Sequence, residues 1–248
     1  MKTGAEGVAG LCVWHITPTG PALIPPTSHG EFFTNDCYVI LNATSHHREV
    51  FFWLGSSSAV DDHGAAQLSA FELDECLGGG TILRREVQAH ETPNFCAAFG
   101  GRLTYLLGGL RDGAQHSPVD CSQPVLRLLR VKGQRRCRVV EVAAEASSLS
   151  AGDVYILDTG RALFQWSGAG ASKKERTRAL ELCSRLREER AAFPQSMPVE
   201  HILLAQDGPH SPNIARFWRA LGCDAPQAIK PATADDDEAT IAALSDEP

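Results

Sequence analysis

The chain has eight cysteines, Cys12, Cys37, Cys76, Cys96, Cys121, Cys137, Cys183 and Cys223, but no Cys-x-x-Cys pair. Zinc sites and thiol redox motifs are usually built on that pairing, so neither class has support here. Scattered cysteines of this kind are expected to be free thiols, as in a reducing cytosol. No stretch approaches the roughly 18 consecutive apolar residues that a membrane-crossing helix needs. The N-terminus has no basic start followed by an apolar run, so no signal peptide is expected. EF-hand spacing, a phosphate loop, a His-x-x-x-His pair and a nucleophile–base motif are all missing, so no enzyme is expected. Positive charge is also short. Against 30 acids stand 23 bases, a net charge of -7, which argues against a dedicated nucleic-acid binder.

What is present fits a globular protein. The 248 residues are enough for two domains of about 110–120 residues, each able to bury a core. Charge is unevenly distributed. Arg127, Arg130, Lys132, Arg135, Arg136 and Arg138 form a basic run without an acid. Past Lys230 the chain turns acidic, with Asp235, Asp236, Asp237, Glu238, Asp246 and Glu247.

The two halves resemble each other. Asp36 opens the apolar run Cys37-Tyr-Val-Ile-Leu41, and Asp153 opens Val154-Tyr-Ile-Leu157. A second run follows in each half and ends in a Trp with a Gly two residues on: Trp53 with Gly55, and Trp166 with Gly168. An acid then starts a helix, Asp62 in one half and Glu175 in the other. Three matching features at offsets of 113–117 residues indicate a duplicated domain. Each copy reads as α+β. Strands are predicted near 37–42, 49–54, 82–88 and 103–107, with helices over 60–77 and 93–99. The second copy has predicted strands near 125–131, 137–142, 153–158, 162–166 and 199–205, with helices over 172–190 and 212–220. The expected organisation is a first domain over 10–112, a linker over 113–124, a second domain over 125–224, and an acidic tail over 225–248 expected to be disordered.

The 60–77 helix has two apolar faces. At about 100° per residue, Ala66, Ala70, Leu73 and Leu77 form one stripe. Val60, Gly64, Leu68 and Phe71 cluster on the other side. Either the helix is sandwiched inside the protein, or its second face docks on a partner. Asp36 and Asp153 at strand starts, with Asp62 and Glu175 at helix starts, supply hard oxygens suited to calcium. Acids at helix N-termini are also ordinary dipole partners, and on the residues alone both readings stand.

Longer motifs carry a family resemblance. Phe32-Phe-Thr-Asn-Asp-Cys-Tyr-Val-Ile-Leu41, Phe52-Trp-Leu-Gly55, Asp61-Asp-His-Gly-Ala-Ala66 and Arg85-Glu-Val-Gln88 are similar to the first domain of the gelsolin/villin/severin family. Leu126-Arg-Leu-Leu-Arg-Val-Lys-Gly133, Gly152-Asp-Val-Tyr-Ile-Leu-Asp158 and Gln165-Trp-Ser-Gly168 are similar to the second. The resemblance implies two tandem gelsolin-like domains, each a central mixed sheet sandwiched between a long and a short helix. It implies a cytoplasmic, cytoskeletal, calcium-regulated protein that binds actin monomers and filaments. Such a protein severs filaments and caps barbed ends, or sequesters monomers. A non-severing capping or monomer-binding protein, or a phosphoinositide-binding adaptor, are the alternatives.

Site residues follow from the resemblance by position. Calcium in the first domain would use the backbone of Asn35, Asp36, Asp62 and the backbone of Leu110. A calcium shared with actin would use Asp74, Gly79 and Thr81. In the second domain Gly152, Asp153 and Glu175 would serve, with Asp235 from the tail. Leu68, Phe71, Asp74, Arg135, Arg136 and Arg176 fall at actin-binding positions. Arg127, Arg130, Lys132, Arg135, Arg136 and Arg138 match the phosphoinositide stretch. Asn35 stands where the family usually has Gly, and Asp62 where it has Glu. Val154 and Ser167 replace the disulfide of a secreted relative.

Overall fold

The computed structural model describes residues 10–44, 47–110, 126–133, 137–191, 199–204 and 211–232. The chain divides into two compact units, 1–118 and 119–248.

Unit one contains β1 (Gly10–Thr17), β2 (Gly20–Leu23), β3 (Glu31–Phe33), β4 (Cys37–Ala43), β5 (Arg48–Leu54), α1 (Val60–Cys76), β6 (Ile82–Val87), α2 (Pro93–Ala98) and β7 (Thr104–Leu106). Its main sheet has the order β2-β1-β4-β5-β6. The β5–β6 pair is parallel and the others antiparallel, and β3 pairs with β7 in parallel. Side chains alternate across a strand, so each strand feeds two cores. Val39, Leu41, Val50 and Leu54 face α1 and pack with its Ala66, Ala70 and Leu73. Tyr38, Phe51 and Trp53 face the other way, into an aromatic cluster with Phe32 and Phe95 of α2. The sheet is therefore sandwiched between a long and a short helix, as the resemblance implies. The cluster also takes in a carboxylate. Buried Glu91 accepts hydrogen bonds from Trp53 Nε1 at 3.1 Å and Tyr105 OH at 2.7 Å.

Unit two contains β8 (Arg127–Lys132), β9 (Arg138–Val142), β10 (Val154–Asp158), β11 (Ala162–Ser167), α3 (Lys173–Ala191), β12 (Glu200–Leu203) and α4 (Pro212–Ala220). Within the unit the strands run in the order β12-β11-β10-β8-β9. Only β11–β12 is parallel. Phe217 and Trp218 of α4 pack on Leu128, Tyr155, Leu157 and Phe164. The other face of the sheet meets α3, which buries Ala179, Leu182, Cys183 and Leu186. On that face Asp158, fully buried, pairs with Arg190 of α3 and with Arg127.

The predicted strands and helices fall within two residues of those observed. Disorder is expected from residue 225, but the first part of that tail is ordered. Residues 225–232 follow a defined path, with the Lys230 carbonyl accepting from Ala151 N at 2.9 Å. Ala232 packs beside Gly152.

Candidate functional site

The duplicated halves build the same junction twice. In unit one the turn after β5 returns to the loop before β4: Gly55 N donates to the Asp36 carbonyl at 3.0 Å, and Ser57 N to the Thr34 carbonyl at 2.9 Å. In unit two Gly168 N donates to the Asp153 carbonyl at 2.9 Å, and Gly170 N to the Ala151 carbonyl at 2.8 Å. A Cβ on Gly55 would collide with the Thr34 carbonyl, and one on Gly168 with the Ala151 carbonyl. That close approach explains the glycine after each Trp. Each turn then enters a helix, and Asp62 and Glu175 both sit three residues past the residue that opens it.

In unit one the residues named from sequence converge on Asp36. Leu110 N donates to Asp36 Oδ2 at 2.8 Å, and Gly109 approaches Oδ1 so closely that a Cβ there would strike it. His15 Nε2 of β1 lies 3.1 Å from Asp36 Oδ2. Asn35 N donates to the Gly108 carbonyl at 2.9 Å. The Cys37 thiol is pushed up, first by burial and then by the charges of Asp62 and Asp36. Asp62 stands in the first turn of α1, the helix that the turn after β5 leads into. Among the described residues no group of three or more His, Cys, Asp or Glu side chains is placed to hold a metal ion by side chains alone.

A second group forms at the end of α1. Gly79 N donates to the Asp74 carbonyl at 2.8 Å and Gly78 N to the Glu75 carbonyl at 3.1 Å, a Schellman closure. Gly78, Gly79 and Gly80 have φ of 88°, 78° and 81°, a left-handed run that side-chain-bearing residues resist. The turn brings Thr81 onto Asp74, whose Oδ1 accepts from Thr81 Oγ1 at 2.6 Å and Thr81 N at 2.9 Å. Those two bonds hold the Asp74 carboxyl below its ordinary pKa. Asp74, Gly79 and Thr81 are thus brought together.

The α1 helix shows the two faces expected. Ala66, Ala70 and Leu73 are buried, with Leu77 packed at the edge of the core. Val60, Leu68 and Phe71 are exposed at 80%, 60% and 48%. Within unit one the outer apolar face has no cover, so the sandwiched-helix alternative does not describe it.

Unit two is wired differently. Asp153 Oδ2 accepts from Arg130 Nε at 2.9 Å and Arg130 Nη2 at 2.6 Å. Glu175 is buried. Its Oε2 accepts from Ser172 N at 2.7 Å while Ser172 Oγ accepts from Glu175 N at 3.2 Å, a reciprocal capping box. Its Oε1 accepts from Gly133 N at 2.9 Å. Arg176, next along α3, is exposed.

The basic run is divided. Arg127 pairs with Asp158 at 3.1 Å and Arg130 with Asp153, so both of these cations answer acids inside the unit. Lys132 and Arg138 face each other across β8 and β9 and are half-buried. Arg135, Arg136 and Asp235 lie outside the described residues. Sequence reasoning did not find His15, Gly109 or the Asp153 role of Arg130. The capping box has a sequence signal, Ser172-Lys-Lys-Glu175.

The family model of the gelsolin repeat matches residues 20–96 and 137–201, more than half of the chain. Among curated proteins, Villin-5 of Arabidopsis thaliana is 36% identical over 95% of this chain and 24% of its own length. Gelsolin of Gallus gallus is 35% identical over 75% of this chain and 24% of its own length. The chain therefore spans about a quarter of the length of these relatives. Among solved structures, a Thorarchaeota 2DGel3/rabbit actin complex matches 85% of this chain and 98% of that one, at 23% identity and a TM-score of 0.32.

Proposed function

The chain belongs to the gelsolin-repeat family, and from that premise we propose that it is a calcium-regulated actin-binding protein that severs filaments and caps barbed ends or sequesters monomers. One observation carries the reading. Leu68 and Phe71 stand exposed on a helix whose opposite face is locked to the sheet. A rigid amphipathic helix with an open apolar face suits insertion into a hydrophobic cleft on a partner. Asp74, at the end of the same helix, adds a carboxylate to the rim of that face.

The donor sets fit calcium, which takes carboxylate and carbonyl oxygens. Asn35, Asp36, Asp62 and Leu110 would hold it in unit one, and Asp74, Gly79 and Thr81 would hold it at the partner face. Gly152, Asp153 and Glu175 would serve in unit two. Asp235 follows Ala232, which lies beside Gly152, by three residues. That is about 10 Å of extended chain, enough to bring an acid to the site. When bound, calcium would supply a hard cation that ties the strand-start loop to the helix start. The residues themselves set the geometry: Leu110 N orients Asp36, and Thr81 orients Asp74.

Unit two would bind the filament side through Arg176 and the basic hairpin. For phosphoinositides the same hairpin has less to offer than its sequence suggests, because Arg127 and Arg130 answer internal acids. Binding there would call on the whole run, Arg127, Arg130, Lys132, Arg135, Arg136 and Arg138.

The test is imaging of labelled filaments with the purified chain, in calcium and in chelator. Fragmentation in calcium alone supports the full reading. Slowed end growth without breaks supports the non-severing alternative. No effect on filaments or on monomer polymerisation in either condition overturns it.

A further inference from the structure

Asp36 and Asp153 hold equivalent places, and each meets a nitrogen-bearing side chain from the neighbouring strand. In β1 that residue is His15, paired in register with Tyr38; in β8 it is Arg130, paired with Tyr155. Both tyrosines lie two residues past the aspartate. The occupants differ in kind. Arg130 is a permanent cation with a fixed fork, and two of its nitrogens close on the single oxygen Asp153 Oδ2. Glu175 has both oxygens engaged by main-chain amides. Both acids assigned to calcium in the second unit therefore already accept hydrogen bonds from the protein's own groups.

We infer that Arg130 is a built-in competitor for the divalent cation at Asp153, lowering the second unit's calcium affinity below what its oxygens alone would give. This rests on the calcium reading of that site. A cation reaching Asp153 either takes Oδ1 and lies close to the guanidinium held on Oδ2, or displaces that guanidinium. Asp153 is nearly buried, with 5% of its side chain exposed, so solvent screens the repulsion poorly. Arg130, at 28%, has an open side toward which it can swing. Displacement is therefore feasible and costs the ion pair.

The experiment is calorimetric titration of the whole chain with calcium chloride, without actin. Wild type, Arg130→Gln and Arg130→Lys are each compared with the same chain carrying Asp153→Asn, which marks the second-unit site. The expected result is a site sensitive to Asp153→Asn that binds about tenfold tighter in Arg130→Gln, while Arg130→Lys stays near wild type. Unchanged or weaker affinity in Arg130→Gln, with that site still present, overturns the inference and makes Arg130 a positioning residue. If Asp153→Asn alters calcium binding in none of the three, the calcium reading of unit two fails and the inference fails with it. Melting in chelator checks the fold. If Arg130→Gln does not fold, Arg130→Met, which keeps the stem's packing, makes the same comparison.

Discussion

Asp62 and Glu175 occupy the same step of their helices, yet only Glu175 is clasped by main-chain amides. Ser172 N and Gly133 N both donate to it, at 2.7 and 2.9 Å. Asp62 follows Ala59, an N-cap without a side-chain acceptor, and is half-exposed. Glu175→Ala should therefore cost about 2 kcal/mol, from two stranded amides and a lost capping box. Asp62→Ala should stay within about 0.5 kcal/mol of wild type. Urea unfolding in chelator measures both, and equal losses would refute the asymmetry.

The two faces of α1 separate stability from binding. Leu73 is fully buried, so Leu73→Ala should cost about 2–5 kcal/mol. Leu68 and Phe71 are exposed, so Leu68→Asp and Phe71→Asp should leave the melting temperature nearly unchanged while removing the actin binding proposed for this face. Thermal melts paired with co-sedimentation decide it. Retained binding in the double aspartate variant would move the partner site elsewhere.

How much of this was legible depended on how local the cause was. Strands β4 and β10 were readable because each is an unbroken apolar run opened by an aspartate. The faces of α1 were readable because helical spacing repeats within a few residues. Strands β1, β2 and β3 were not called. β3 has three residues, and its partner β7 lies more than 70 positions along the chain. The basic run misled for a related reason. Arg127 and Arg130 answer acids 31 and 23 residues away, and spacing within β8 holds no record of them.

Acid should weaken both units near the histidine range. Burial lowers the pKa of His29 in unit one, opposed by its hydrogen bond to the Ile24 carbonyl. Burial, and then the charge of Arg187, lowers that of His201 in unit two. A histidine with a depressed folded pKa binds fewer protons folded than unfolded. Its contribution is present above the unfolded value of about 6.5 and is lost as pH falls below it. Melting temperature should fall from pH 7 to pH 5, and His29→Gln with His201→Gln should flatten that slope. A slope untouched by the double variant assigns the acid sensitivity to other groups.

Gly55 and Gly168 should tolerate no side chain. Each passes its Cα against a loop carbonyl, that of Thr34 or Ala151, where main chain rather than a flexible side chain blocks the added atom. Gly55→Ala and Gly168→Ala should each cost about 1–3 kcal/mol or more. Gly64→Ala is the control. It has open space around its Cα within α1 and should gain up to about 1 kcal/mol. Denaturation midpoints for the three variants test this directly.

Asp158 is the most exposing test of unit two, because its carboxylate sits with no solvent contact between two cations from different elements. Arg127 reaches it from β8 and Arg190 from α3, while Gly160 N donates to Oδ1 at 2.9 Å. The pair therefore ties the last turn of α3 to the end of β10. Asp158→Asn keeps the shape and the Gly160 contact but removes the charge, leaving Arg190, itself buried, facing Arg127 with no anion between them. Breaking a buried pair by removing one partner costs about 3–5 kcal/mol. Replacing Arg190 as well, by Met, removes one of the two neighbouring like charges and should recover part of that loss. If urea unfolding finds Asp158→Asn within about 1 kcal/mol of wild type, water reaches the pair and it does little to hold α3.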